Sequence, residues 1–278
     1  MRFHLAAAAT LICAGSVGQA QNTSGNRIVA TPLEIGETFT IESKVMHEVR
    51  RINVYKPPGY TDSTERVPVL YMPDGGMAED FLHIAGLVQV GVGNGTMRPF
   101  LLVGIENTQR RRDMTGPTEN ADDRKIAPRV GGSALFRDFI RNELMPLIKS
   151  RYRTTSETAI VGESLAGLFV VETFMKEPAM FDTYIAFDPS LWWNNGKLVA
   201  DAPALLKGRN LKGKSLYIAT SSNAGLADPA SRLDAAIKSS NVLSLDWHYT
   251  TLPAETHATI YHPAALQAFR LLFKPSTH

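Results

Sequence analysis

The chain has 278 residues, 44% of them hydrophobic and 20% charged, which is typical of a globular protein with a large core. This composition excludes a disordered chain, a collagen-like repeat and a bundle of membrane helices. The formal net charge of +2 gives no long-range field that would indicate a nucleic acid or an anionic membrane as partner. We therefore expect a small, roughly neutral molecule as the partner.

Residues 1–20 differ in character from the rest of the chain. Arg2 is followed by an apolar run from Leu5 to Gly15 and by small residues before Ala20, the pattern of a secretory signal peptide. The run is shorter than the roughly 20 residues that a membrane span needs. We predict cleavage after Ala20 and a periplasmic or secreted protein. Cys13, the single cysteine, lies in this segment, so the mature chain has no disulfide and no thiolate nucleophile.

The remaining chain is predicted to contain a flexible lead-in over residues 21–37 and one domain over residues 38–278. Short β-prone runs alternate with longer helical patterns, which indicates an α/β layered domain. The predicted strands are Thr38–Glu42, Arg51–Tyr55, Val67–Met72, Phe100–Ile105, Thr158–Val161, Thr183–Phe187, Ser215–Thr220 and Ser244–Tyr249. The predicted helices are Ala78–Val88, Ala134–Lys149, Leu165–Lys176, Ala230–Ser239 and Pro263–Phe273.

A candidate nucleophile lies where a β-prone run meets a helix. Gly162-Glu163-Ser164-Leu165-Ala166-Gly167 follows the strand and precedes an apolar helical segment. Small residues on either side of Ser164 favour a sharp turn that exposes its hydroxyl. The usual pattern has glycine where this chain has Ala166, a difference of one methyl group. The alternative is a tight turn in which Ser164 only caps the helix.

A serine hydroxyl needs a base to accept its proton, and position in the chain favours His257. It lies in a loop after the last strand and before the last helix, where a side chain can reach the carboxyl edge of the sheet. His262 is the competitor, but its place directly before Pro263 is typical of a helix start.

The carboxylate that would orient the base is predicted to be Asp228, because it is the first carboxylate after the strand Ser215–Thr220. Its place before Pro229 also suits a helix cap. A Ser-His dyad without a carboxylate remains an alternative, as do three other acids: Asp188, Asp234 and Glu255.

The tetrahedral intermediate of such a reaction needs backbone N–H donors. We predict one from Leu165, directly after the nucleophile, and a second from the loop Met72 to Met77, with Gly76 as first choice and Gly75 as second. The alternative for this loop is a plain Asp-Gly turn.

Two segments are predicted to form the substrate pocket. Trp192 and Trp193 follow a strand and suit an aromatic or apolar wall. Arg110 and Arg112 lie in the long stretch Asn107–Gly132 and suit an anionic group. The chain contains no metal-ligand spacing and no phosphate-binding glycine loop, so we expect no metal and no organic cofactor.

Together these segments resemble the esterase family of α/β-hydrolases, the group that includes esterase D and the enterobactin-type siderophore esterases. The resemblance rests on the elbow around Ser164, on Phe136-Arg137-Asp138-Phe139, on Ser190-Leu191-Trp192-Trp193 and on Glu255-Thr256-His257. It covers about Thr38 to Phe273. It implies an α/β-hydrolase fold, a mostly parallel sheet of about eight strands with helices on both faces.

The same resemblance implies Ser164 as nucleophile, His257 as base, and Gly76 with Leu165 at the oxyanion. The expected activity is that of a serine carboxylic-ester hydrolase acting on a small-molecule ester, of the siderophore type or aromatic. An acyltransferase that uses the same site, or a binding protein without catalysis on the same fold, is the alternative. The oligomeric state is left open.

Overall fold

The β-prone runs of the sequence form one eight-stranded sheet in the computed structural model, which describes residues 30–275 except 241 and 243. The predicted signal peptide lies outside the described residues, as does most of the predicted lead-in. Residues 30–36 contain neither helix nor strand, and the sheet begins at Glu37.

The strands are ordered β1-β2-β4-β3-β5-β6-β7-β8 across the sheet. The pairs β1 with β2 and β2 with β4 are antiparallel, and every other neighbouring pair is parallel. This mostly parallel arrangement confirms the predicted α/β-hydrolase fold. The strands are β1 (Glu37–Ser43), β2 (Glu48–Tyr55), β3 (Val67–Pro73), β4 (Leu101–Ile105), β5 (Thr154–Glu163), β6 (Thr183–Phe187), β7 (Ser215–Thr220) and β8 (Asp246–Thr251).

Helices connect the strands and cover both faces of the sheet. The predicted helix from Ala134 is a longer helical run in which a π-helical turn, Ile140–Leu144, separates two α-helices. The α-helices are α1 (Phe81–Gly93), α2 (Arg110–Met114), α3 (Ser133–Phe139), α4 (Met145–Arg151), α5 (Leu165–Lys176), α6 (Trp193–Leu206), α7 (Ala224–Ser239) and α8 (Tyr261–Leu272). Within the described residues, none of these helices is long and apolar enough to cross a bilayer.

Alternating side chains of the central strands bury two separate apolar clusters. Tyr71 of β3 lies in the cluster that α3 to α7 cover, whereas Leu70 and Met72 lie in the cluster that α1 and α8 cover. β3 is buried along its whole length, as expected for a strand that is covered on both faces.

The parallel strands β3, β5, β6 and β7 bring their carboxyl ends to one edge of the sheet. In an open α/β sheet the ligand site lies outside this edge. Asp74, Ser164, Asp188 and Ser221 each directly follow one of these strands, so the fold itself gathers polar side chains there.

Candidate active site

The turn from β5 to α5 holds Ser164 in an unusual backbone conformation, with φ 60° and ψ −118°. Its N–H donates to the carbonyl of Phe187 and its own carbonyl accepts from the N–H of Ser190, at 3.0 Å each. A Cβ on Gly162 would lie 2.7 Å from the carbonyl carbon of Ala166, so this position has no room for a side chain. A positive φ at a residue other than glycine costs free energy and is maintained by the surrounding contacts.

His257 reaches this serine from the loop between β8 and α8. Its Nε2 lies 3.2 Å from the Oγ of Ser164, which is hydrogen-bond distance. The loop is fixed by its own turn, in which Thr256 donates its N–H to Oγ1 of Thr259 at 2.9 Å. The structure thus brings together the two residues that the sequence predicts as nucleophile and base. His262, the competitor, lies in α8 with its ring 5.1 Å from that of His83.

The carboxylate on the far side of the imidazole is Asp188 and not Asp228. Asp188 directly follows β6, and its Oδ2 lies 3.1 Å from Nδ1 of His257. The prediction of Asp228 is wrong because α7 begins earlier than expected, at Ala224, and its Asn223 cap accepts from the N–H of Gly225. Asp228 therefore lies inside a helix with an exposed side chain.

The two remaining acids of the prediction also lie elsewhere. Asp234, in α7, accepts a hydrogen bond from Nε1 of Trp247 and pairs with Lys238. Glu255 is half-buried in the His257 loop, where its carbonyl accepts from the N–H of Ser222.

A second carboxylate, from Glu163, also approaches His257, and it was not among the predicted site residues. Its Oε1 lies 3.0 Å from Nδ1. The hydrogen bond to Asp188 and the contact with Glu163 raise the pKa of His257 to about 10, although burial acts in the opposite direction. The signal that could have found Glu163 is its position at the end of β5, beside the nucleophile.

The predicted oxyanion donors differ in whether their N–H groups have acceptors within the protein. Leu165 is the first residue of α5, and the first N–H groups of a helix have no acceptor within it. The N–H of Gly76, by contrast, donates to Oε2 of Glu79 at 2.7 Å, and that of Gly75 donates to the carbonyl of Ile105 at 3.0 Å. Both amides of the β3 loop therefore donate to acceptors within the protein, and their role as oxyanion donors stays a prediction.

The paired tryptophans have separate surroundings. Trp192 is 39% exposed and lines a cavity of about 540 Å³ together with Ser164, His257 and Leu226. Trp193 is buried, and its Nε1 donates to the carbonyl of Gly116 at 2.9 Å. The prediction that both face substrate is therefore wrong for Trp193, which is part of the core.

The segment after Trp193 is attached to the long stretch that follows β4. Asn194 and Asn195 both have positive φ, 50° and 56°. The N–H of Asn194 donates to Oδ2 of Asp123 at 2.7 Å, and its side-chain oxygen accepts from the N–H of Glu119 at 3.0 Å. These bonds fix the tryptophan loop to a segment more than 70 residues earlier in the chain.

The two predicted arginines are engaged by carboxylates of the protein. Arg110 binds both oxygens of Asp74, at 2.7 and 2.8 Å. Arg112 pairs with Glu48 and Asp113 and is 14% exposed. Neither lines the cavity at Ser164, so the structure gives no support to their prediction as substrate ligands. Among the residues that the structure describes, no three His, Cys, Asp or Glu side chains are grouped as metal ligands.

The fold and this arrangement define the class: an α/β-hydrolase with serine, histidine and aspartate at the carboxyl edge of its sheet. Residues 43–259 match the family described as "Putative esterase", and the chain belongs to that family. The family predicted from the sequence is confirmed.

Two proteins similar to this chain are named as siderophore esterases. The chain is 30% identical over 211 residues to the siderophore triacetylfusarinine C esterase of Aspergillus fumigatus, a match that covers 67% of this chain and 66% of that one. It is 34% identical to the ferri-bacillibactin esterase BesA of Bacillus subtilis over half of each chain. The match thus spans slightly less than two thirds of the first relative's length and half of the second's.

The solved structure of an IroE-like serine hydrolase from Shewanella oneidensis has the same fold. Its TM-score is 0.79 and its identity 28%, over 86% of this chain and 80% of that one. The sheet and the helices that carry the site are therefore those of a serine hydrolase.

Proposed function

We propose that the protein is a serine carboxylic-ester hydrolase that works through an acyl-enzyme on Ser164. The observation that carries the proposal is the 3.2 Å contact between Oγ of Ser164 and Nε2 of His257, made by a serine in strained backbone geometry. A strained serine beside a histidine that is itself held by a carboxylate is the arrangement that activates a hydroxyl nucleophile.

The reaction follows from these positions. Oγ of Ser164 bonds to the ester carbonyl carbon while its proton passes to Nε2 of His257. The C–O bond to the alcohol then breaks, and Nε2 returns the proton to the departing oxygen. In the second half, water replaces the alcohol: it loses a proton to Nε2, attacks the acyl carbon, and the proton returns to Ser164 as the acid leaves.

The negative oxygen of each tetrahedral intermediate needs donors that are already in place. The N–H of Leu165 is our choice, since it follows the nucleophile at the start of α5. The positive end of the α5 dipole adds to this stabilisation.

We propose an ester of the siderophore type, or another aromatic ester, as the substrate class. Two observations support this. The relatives are named for siderophore esters, and the cavity at Ser164 has Trp192 on its wall, where an aromatic acyl group can stack. The predicted leader supports export to the periplasm or the exterior, with a mature chain beginning at Gln21.

The proposed activity is tested with a fluorophosphonate probe and p-nitrophenyl esters. We expect the probe to label Ser164, and the variants Ser164→Ala and His257→Ala each to lose at least about a thousandfold in kcat/KM while keeping the circular dichroism spectrum of the parent. Ser231→Ala, which changes an exposed serine of α7, is the control for labelling.

Full turnover by Ser164→Ala would contradict the proposal. Triacetylfusarinine C, ferri-bacillibactin and a feruloyl ester, offered to the parent protein, then rank the substrate classes.

A further inference from the structure

Two carboxylates, from adjacent strands, converge on one nitrogen of the catalytic histidine. Asp188 follows β6, and its Oδ2 lies 3.1 Å from Nδ1 of His257. Glu163 is the last residue of β5, and its Oε1 lies 3.0 Å from the same Nδ1. One carboxylate suffices to orient an imidazole, so the second calls for an explanation.

The two carboxylates differ in how they are satisfied. Asp188 is fully buried and also accepts from the N–H and the Oγ of Ser221, at 2.7 and 2.5 Å. Oε1 of Glu163 is buried and receives no directed hydrogen bond. Its contact with Nδ1 is at ion-pair distance, whereas the hydrogen bond of Nδ1 is made with Asp188. Glu163 therefore acts on the ring as a charge.

The charged groups around Glu163 are few. Arg110 is the cation on this side, and it already binds Asp74 through two hydrogen bonds. Asp80 lies near enough that Asp74 and Glu163 contribute, after burial, to raising its pKa to about 6. Burial also raises the pKa of Glu163, while His257 and Arg110 act to lower it. Arg110 is held by Asp74, whereas the imidazole of His257 contacts Glu163 directly at 3.0 Å, so the protonated ring is a cation in contact with Glu163.

We propose that Glu163 is a second positioning residue for His257, whose charge stabilises the imidazolium and so shifts the pH range of the proposed hydrolase upward. The assignment rests on the proposed function for its kinetic consequence, but the contact itself does not. When the proton of Ser164 reaches Nε2, the positive ring lies between the carboxylates of Asp188 and Glu163.

The charge of Glu163 is expected to move the acidic limb of the activity profile to higher pH. The base works only as neutral imidazole, and a neighbouring negative charge favours the protonated form. Activity in the parent protein is therefore expected to rise with pH through a value above the ordinary 6.5 of histidine. Removing the charge of Glu163 moves this limb to lower pH, and it weakens the base in the transition state.

The direct test is a proton-nitrogen NMR titration of His257 in the Ser164→Ala background, which needs no turnover. We expect Glu163→Gln to lower the pKa of His257 by about one unit. Glu255→Gln is the matched control: it removes the same charge two residues from His257, and we expect no shift. Equal titration in the Glu163→Gln variant and its parent would overturn the proposal, even if the esterase activity is confirmed.

A second experiment measures the pKa of His257 in Asp188→Asn, so it does not depend on the folding of a Glu163 variant. In Asp188→Asn, the pKa of His257 should stay above 6.5, because Glu163 still contacts the ring. A value at or below 6.5 would contradict the role of Glu163.

The third experiment measures the pH dependence of kcat/KM in the parent protein and in Glu163→Gln, both with Ser164 present. The acidic limb of kcat/KM should move down by about one pH unit in Glu163→Gln, with a plateau about tenfold lower. A lower plateau with an unmoved limb would indicate a purely structural role for Glu163 and would overturn the proposal. If the parent shows no esterase activity while the NMR shift is present, the proposed function fails and the contact stands.

Discussion

At the residue scale, Asp188 shows what a buried carboxylate needs at such a site. It has no exposed surface, and its two oxygens accept from Ser221 and His257. A buried charge without partners would be costly, and these bonds supply its partners and fix the carboxylate in direction. Its own φ of 40° places the side chain toward His257.

Replacing Asp188 by Asn keeps its size but removes the charge, and it favours the wrong tautomer of the ring. We expect Asp188→Asn to lower kcat/KM by about a hundredfold or more, less than the loss in Ser164→Ala because Glu163 still faces the ring. Asp228→Asn, the exposed carboxylate in α7, should retain activity within about twofold. Steady-state kinetics on p-nitrophenyl butyrate measures both, and a larger loss in Asp228→Asn than in Asp188→Asn would reverse the assignment.

Ser164 and His257 could be predicted to meet because each has a signature in the chain. The serine lies between small residues at a strand-to-helix junction, and few histidines follow it. The carboxylate has no such signature. The prediction of Asp228 depended on where α7 begins. Pro229 indicated a helix start at that position, but the helix is capped by Asn223, six residues earlier. Asp188 was among the alternatives, but nothing local in the sequence distinguishes it.

At the element scale, the junction of β5 and α5 is the feature on which the site depends. β5 pairs with β6 up to Glu163 and Phe187, and α5 begins two residues later. This sharp turn brings Gly162 close to Ala166, which is possible because Gly162 has no side chain. Only a residue without a Cβ fits there, because the nearest atom is the backbone carbonyl carbon of Ala166.

Gly162→Ala is therefore expected to lower the free energy of unfolding by about 2 kcal/mol and kcat/KM by more than tenfold, because the inserted methyl must displace α5 and with it Ser164. Gly86→Ala is the matched control, since Gly86 is exposed in α1 and a Cβ there meets no atom within 4 Å. It should raise the free energy of unfolding by about 0.5–1 kcal/mol. Urea unfolding and ester kinetics on both variants are the measurements. A Gly162→Ala variant with the stability and activity of the parent would show that the turn can accommodate a Cβ at this position.

The bounds of α5, β6 and β7 agree with the prediction, because each has a continuous apolar pattern and a clear end. α6 was missed for a physical reason. Three successive residues with positive φ, from Asn194 to Gly196, follow its first residue, and Pro203 lies within it, so that the sequence there has the composition of a loop. The short α2 was missed because five residues are too few for a helical period.

At the scale of the whole molecule, a buried group of charges joins the antiparallel edge of the sheet to the helices. Arg50 of β2 has no exposed surface and pairs with Asp113 and Glu48. Its guanidinium also lies 5.0 Å from the centre of the Phe136 ring. Arg112 completes the group by pairing with Glu48. These contacts tie β2, α2 and α3 together across long stretches of sequence.

This group makes stability depend on pH in the acid range. Burial alone would raise the pKa of Glu48, but hydrogen bonds from Arg112, Arg50 and Thr108 lower it from 4.5 to about 2. A depressed carboxyl pKa contributes stability above its unfolded value, and that contribution is lost as the pH falls from about 4.5 toward 2.

We expect Glu48→Gln to lower the free energy of unfolding by about 2 kcal/mol at pH 7, because Arg50 and Arg112 then share Asp113 as their carboxylate partner, and to make little difference near pH 2. The exposed Glu65, changed to Gln, should have little effect at either pH. Urea titrations at pH 7 and pH 3 measure the difference. A deficit in Glu48→Gln that is as large at pH 3 as at pH 7 would assign the loss to packing instead of charge.

The bonds that join Asn194 to Asp123 and Glu119, together with that of Trp193 to Gly116, fix the residues directly after Trp192, which lines the cavity, to a distant stretch of chain. If residues 190–195 alone were transferred to a homologous protein, their backbone would lack the hydrogen-bond partners that hold it in this chain. If Trp192 contacts the acyl group of the proposed substrate, we expect that an exchange of substrate preference requires both segments to be exchanged together.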